Sequence, residues 1–130
     1  MAPTQTDFGL SQIGQVAIVV RDVERAVEFY RDRLGMRFLF TAPGLGFFQC
    51  GDVRLMLSRP EAPEFDHPSS IIYFTVDDID LAYQTLRGRG VQFRDEPHLI
   101  HRAESYDLWM AFFRDLDENT LALMATKPRG

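Results

Sequence analysis

The chain has 130 residues and a mass of 15.0 kDa, enough for one hydrophobic core and too short for two independent ones. Hydrophobic residues at 45% and charged residues at 25% exclude a disordered chain. The net charge of −5, from 14 basic and 19 acidic residues, disfavours a broad nucleic-acid footprint, and the single Cys50 excludes an intramolecular disulfide or a cysteine-cluster zinc site.

The chain opens on a polar arm, residues 1–11, with neither the basic nor the apolar region of a secretory signal. Nowhere does an apolar run approach the roughly 18 residues that span a bilayer. The expectation is a cytoplasmic protein that contacts neither membrane nor nucleic acid. An apolar run, Val16 to Val20, follows the arm and reads as a strand. Asp22 then stands where a carboxylate can cap a helix. Val23, Ala26, Val27 and Tyr30 recur at i, i+3, i+4 and i+7, the stripe of an amphipathic helix, and Gly35 ends it. Three extended segments come next, at about 36–41, 46–50 and 53–58. A linker over 59–68 holds three prolines in ten residues.

The same plan then repeats. Ile71 to Val76 reads as a strand, Asp78 as a cap, and Ile79, Ala82, Tyr83 and Leu86 as a helical stripe that Gly90 ends. Strands are expected at about 91–95, 108–114 and 119–125. Val20-Arg-Asp22-Val-Glu-Arg-Ala26 matches Val76-Asp-Asp78-Ile-Asp-Leu-Ala82. After a one-residue slip, Gly35 and Phe38 match Gly90 and Phe93. The predicted fold is α+β: tandem βαβββ modules forming a curved mixed sheet around a cleft. Module one spans 12–58 and module two 69–126, in a single domain over 12–126 with a frayed tail at 127–130.

Side chains alternate across a strand, so parity sorts the two faces. Val16, Ile18, Val20, Val53, Leu55, Leu57, Ile72, Phe74, Val76, Leu121 and Leu123 are all apolar and predict the face that the helices cover. Gln15, Ala17, Val19, Arg54, Met56, Ser58, Ile71, Tyr73, Thr75, Thr120, Ala122 and Met124 are mixed. A packed core rejects Arg54 and Gln15, because burying them unpaired is costly. A solvent face rejects Ile71, Tyr73 and Met124. A concave small-molecule site satisfies both constraints, and so does a half-buried dimer interface. Eleven Phe residues suit an aromatic-lined cavity as well as a core.

Two stretches carry a resemblance to a known family. Val16-Ala-Ile-Val-Val-Arg-Asp-Val-Glu-Arg-Ala-Val-Glu-Phe-Tyr-Arg-Asp-Arg-Leu-Gly35 resembles the strand and D-x-x-x-A-x-x-F-Y-x-x-x-L-G helix of the vicinal oxygen chelate superfamily. Phe112-Phe-Arg-Asp-Leu-Asp-Glu-Asn-Thr-Leu-Ala-Leu123 resembles its F-x-D-P-D-G-N-x-x-E-L turn. That superfamily includes glyoxalase I, extradiol dioxygenases, and fosfomycin- and bleomycin-resistance proteins. The resemblance covers about residues 12–126. It implies up to four metal ligands on the cleft face, holding an octahedral divalent ion that chelates substrate oxygens. Carried over residue by residue, those positions are Gln15, Met56, Ile71 and Ala122. An amide, a thioether, an alkyl group and a methyl stand where the family has His or Gln and Glu. The expectation is therefore no metal and no cofactor. Leu116 and Glu118 also replace the family's Pro and Gly, and Asn119 is the expected left-handed residue of the turn.

Three other features carry weight. His98, His101 and Glu104 have the H-x-x-H-x-x-E spacing of a helical metal site, but Pro97 points instead to a loop between strands, with His98 a candidate general base facing the cleft. Trp109 is the candidate for stacking on a flat ligand. Arg54 either pairs with Glu96, Glu104 or Asp107 or anchors an anionic ligand group.

The expected ligand-binding set is Gln15, Arg54, Met56, Ile71, Tyr73, His98, Trp109 and Ala122. The first reading is a metal-independent, glyoxalase- or bleomycin-resistance-like protein that binds a small, partly apolar organic ligand and forms a homodimer. The alternative is a lyase or isomerase with a displaced metal site or His98 as base. In a third, the cleft face is only a subunit seam.

Overall fold

The computed structural model describes residues 8–128. The rest of the predicted arm and tail, residues 1–7 and 129–130, lie outside the described residues. Each module is a four-stranded mixed sheet with one helix. In the first, β1 (Gln15–Val19), β2 (Arg37–Ala42), β3 (Leu45–Cys50) and β4 (Val53–Ser58) stand in the order β1-β4-β3-β2. In the second, β5 (Ile72–Thr75), β6 (His98–Arg102), β7 (Tyr106–Arg114) and β8 (Thr120–Pro128) stand in the order β5-β8-β7-β6. The first strand of each module runs parallel to the last, β1 beside β4 and β5 beside β8. Together they make open, curved sheets with the tandem βαβββ plan expected from the repeat. β8 reaches Pro128, so the part of the predicted frayed tail at 127–128 is ordered against β7.

Helix α1 (Val23–Glu28) follows β1, and α2 (Ile79–Gly88) follows β5. Both start as the sequence predicts. Asp22 accepts the Arg25 amide at 3.2 Å and Asp78 the Leu81 amide at 3.0 Å, satisfying donors that have no partner inside the helix. Both ends turn through left-handed glycines, Gly35 at φ 72° and Gly90 at φ 85°. Between cap and glycine, module one has one residue more than module two. The chain absorbs it as a π-helical turn, Phe29–Arg33, closed by the Leu34 amide on the Phe29 carbonyl at 3.1 Å. That turn brings both Phe29 and Tyr30 into the core.

The apolar parity set is the helix-covered face. Ile18, Val20, Leu55, Leu57, Leu121 and Leu123 are buried, and they join residues of both helices in one cluster that spans the two modules. α1 lies so close to β3 that a Cβ at Gly46 would stand 2.7 Å from a Val27 methyl.

The second module departs from the prediction at its edge. Residues 91–95 do not form a full strand. Only Phe93 bridges to Phe113, with the Arg94 amide on the Phe112 carbonyl at 2.8 Å. The segment predicted as a loop is β6, paired with the N-terminal half of β7. Both segments use the same edge of the nine-residue β7. Pro97, which has no N–H to give to a ladder, stands between them and interrupts the pairing.

A buried turn joins the modules. Asp115, 7% exposed, accepts the Tyr30 hydroxyl at 2.7 Å, the Asp117 and Asn119 amides at 2.9 Å each, and the Asn119 side-chain amide at 2.9 Å. Asn119 also donates to the Val19 carbonyl at 2.8 Å, and Asp117 accepts the Arg21 amide at 2.9 Å. The left-handed residue of this turn is Glu118, at φ 64°, and not Asn119. Asn119 has both its backbone and side-chain N–H groups committed to Asp115, which leaves the strained conformation to its neighbour.

Burial and the nearby Asp115 carboxylate raise the Tyr30 phenol well above its usual 10.0. Its contribution to stability is therefore present below pH 10 and is lost as the pH rises towards the folded-state value. Tyr30→Phe strands a buried acceptor of its strongest donor. It should cost about 1.5–3 kcal/mol in urea unfolding at pH 7, and the difference from wild type should shrink in alkali. Glu118→Gly should raise stability by up to about 1 kcal/mol, because it relieves a left-handed L-residue. The exposed 4.0 Å contact with Arg114 that it removes adds little.

Candidate functional site

Opposite the helices, each sheet presents its other face. Register aligns that face in rows across sheet one. Gln15, Arg54, Gln49 and Arg37 form the first row, and Ala17, Met56, Phe47 and Phe40 the second. Strict alternation would put Phe40 on the same side as Phe38, in the core. A bulge at Leu39 shifts the register, and Phe40 turns to the open face, where it stacks on Phe47 at 4.6 Å between ring centroids. The Arg54 guanidinium lies over both rings, 5.8 Å from Phe40 and 5.4 Å from Phe47. Among the described residues it pairs with no carboxylate, so the ion pairs predicted with Glu96, Glu104 or Asp107 do not form.

On sheet two, Tyr73, Ala122 and Phe112 share a row. Ala122 is completely buried although it belongs to the open face. Tyr73 and Phe112 close over it, edge to face at 6.0 Å, and His98, in the adjacent row opposite Met110, stands 6.3 Å from the Phe112 ring. His98 Nδ1 lies 3.1 Å from the Glu96 carbonyl and 3.8 Å from the Asp95 carboxylate. A bulge at Ile100 brings His98 and His101 into register with Met110 and Leu108, two residues of one face of β7. Strict alternation would set the two on opposite faces, and the bulge overrides it.

Trp109 is not on the open face. It stands in register with Ala125, packs against the shared core, and carries the Lys127 ammonium 4.4 Å from its ring centroid. The aromatic rings of the open faces are instead Phe40, Phe47 and Phe112 beside Tyr73. Phe47 was legible by parity with Gln49, but Phe40 was hidden by the bulge. Gln15, Arg54 and Met56 gather on sheet one, and Tyr73, His98 and Ala122 on sheet two. Ile71 precedes β5 and is exposed. Cys50 is exposed at the end of β3, and His67 Nδ1 lies 3.0 Å from the Pro68 carbonyl. Of the expected lining residues, Tyr73 borders a 460 Å³ cavity shared with Val16, Leu55 and Phe74.

The four positions of the expected metal site do not fit a divalent ion. The Gln15 amide donates to the Met56 sulfur at 3.7 Å, so two of the positions satisfy each other. Rings fill the space above Ala122. Thioether, alkyl and methyl groups offer nothing to a hard cation. Among the described residues, no three His, Cys, Asp or Glu side chains converge, His98, His101 and Glu104 included.

Comparison with known proteins agrees with this architecture. Residues 12–123 match the family model of the Glyoxalase/Bleomycin resistance protein/Dioxygenase superfamily. The chain belongs to that superfamily. A curated relative is the uncharacterized protein YraH of Bacillus subtilis, 27% identical, with 84% of this chain and 94% of YraH covered. Among solved structures, the lactoylglutathione lyase of Agrobacterium tumefaciens aligns at TM-score 0.73 and 23% identity over 90% of this chain and 95% of that one. TnmS3, an antibiotic binding protein from Streptomyces sp. CB03234, aligns at TM-score 0.73 and 25% identity over 94% and 99%. No described helix is long and apolar enough to cross a membrane.

Ala122→Glu restores the family's carboxylate at one position and tests the fit. It should lower stability by about 2 kcal/mol or more, because a charge enters a site closed by two rings. Calorimetric titration with Ni²⁺ or Mn²⁺ should show no site gained.

Proposed function

We propose that this protein is a binding member of its superfamily that dispenses with the divalent ion and takes a small, partly apolar organic molecule on its open sheet faces. The observation that carries this reading is Ala122. At a position where the superfamily's chemistry calls for a carboxylate, a methyl group lies buried beneath Tyr73 and Phe112. TnmS3, described as an antibiotic binding protein, shares the fold and supports a sequestration or ligand-sensing role.

We further propose that two copies pair through these faces. Phe40, Ile71 and Tyr73 are each 43–45% exposed, apolar groups on these faces that a second sheet or a ligand would cover. The alternative, a lyase or isomerase with His98 as general base, draws support from the Asp95 carboxylate 3.8 Å from His98 Nδ1, a partner suited to orienting the ring.

Protein purified without chelator should carry no stoichiometric Ni, Zn, Fe or Mn, and methylglyoxal with glutathione should turn over at background. A panel of aromatic and hydrophobic small molecules should include compounds that raise the melting temperature. Saturation at 100 times Kd adds about 2.7 kcal/mol. Light scattering on the same sample should give about twice 15.0 kDa. Metal bound by Gln15 and Met56 would overturn the binding reading. Turnover abolished by His98→Gln would favour the enzyme.

A further inference from the structure

The first row of sheet one carries a charge pattern unlike the rest of the chain. Acidic residues outnumber basic ones 19 to 14 overall, yet the open face of this sheet holds Arg37 and Arg54 and no Asp or Glu. Asp52, in the turn at the same end of the sheet, makes no ion pair with either arginine. Gln15 and Gln49 alternate with the two arginines across the four strands. Gln49 is held by its own side-chain bond to the Gly51 carbonyl at 2.6 Å. Two strand spacings separate Arg37 from Arg54, about 10 Å between backbones, a gap that two long side chains can close on one group.

The next row supplies the complementary half. Phe40 and Phe47 stack 4.6 Å apart beside Met56, and Arg54 lies across both rings. Phe40 is 45% exposed, so one edge of this platform is open. Stacking on Phe40 and Phe47 also steadies the Arg54 fork, which lowers the ordering cost of pairing it with a planar carboxylate. The arrangement is an exposed Phe40 ring backed by the buried Phe47, with a cationic rim that has no counter-ion among the described residues.

We propose that the open face of sheet one selects a flat aromatic molecule bearing a carboxylate, the ring against the exposed Phe40, which the buried Phe47 backs, and the anion at Arg54 and Arg37. This assignment rests on the small-molecule reading above and narrows it to an anionic class. A neutral or cationic aromatic of the same shape finds the Phe40 ring but not the rim.

The test uses three probes of one shape on the intact protein: 2-naphthoate, 2-naphthamide and 2-naphthylmethylammonium. Titration calorimetry should show naphthoate binding at least tenfold tighter than the amide, with the amine weakest. Added salt should shrink the difference. Arg54→Gln should remove at least tenfold of the naphthoate affinity and leave amide binding within twofold. Arg54→Lys, which keeps the charge but not the fork, should fall between, and Arg37→Gln should weaken naphthoate selectively. Circular dichroism melts matching wild type establish that each variant folds. Equal affinity for acid and amide, or an Arg54→Gln variant that loses both alike, overturns the anionic assignment and leaves the binding function standing. Absence of binding by all three probes overturns the assignment, and the small-molecule reading falls with it if the wider panel is also silent.

Discussion

The Asp115 carboxylate is buried without a cation and takes four hydrogen bonds, one of them from Tyr30 on the opposite module. Four donors make burial of the carboxylate tolerable. The turn it organises also grips the start of module one, through Asn119 on the Val19 carbonyl and Asp117 on the Arg21 amide. Because these contacts sit at the junction of β1 and α1, they hold the helix-covered faces of both sheets together in one core. The other two faces are left free of that core.

Much of the architecture was legible in the sequence because its signals are local. A capping Asp, an i, i+3, i+4 stripe and a terminal Gly depend only on neighbours, and they repeat. Parity separated the faces of β1, β4, β5 and β8, which are regular. It failed wherever an extra residue enters. The bulges at Leu39 and Ile100 reverse the faces of Phe40 and His101, and no residue type announces them. Trp109 was misplaced for a different reason. An aromatic strand offers a ligand stack and a core stack in equal measure, and only its register with Ala125 decides between them. Pairing is non-local too, which is why His98–Arg102 read as a loop until β7 stood beside it.

The substitutions on the open faces act together. Losing a carboxylate at Ala122 would leave a hole if nothing else had changed, but Tyr73 and Phe112 close it. Losing a ligand at Met56 would leave a lone thioether, but Gln15 turns its amide toward the sulfur. One row from Met56, sheet one carries Arg54, Gln49 and Arg37 beside Gln15.

Both bulges lie in an edge strand of their sheet, β2 in one module and β6 in the other. An outermost strand exposes unpaired amides and carbonyls that could recruit a neighbouring chain into a continuous ribbon. An irregular spacing there spoils the ladder that such growth requires. The irregularity that carries Phe40 to the open face thus also discourages ribbon growth through that edge.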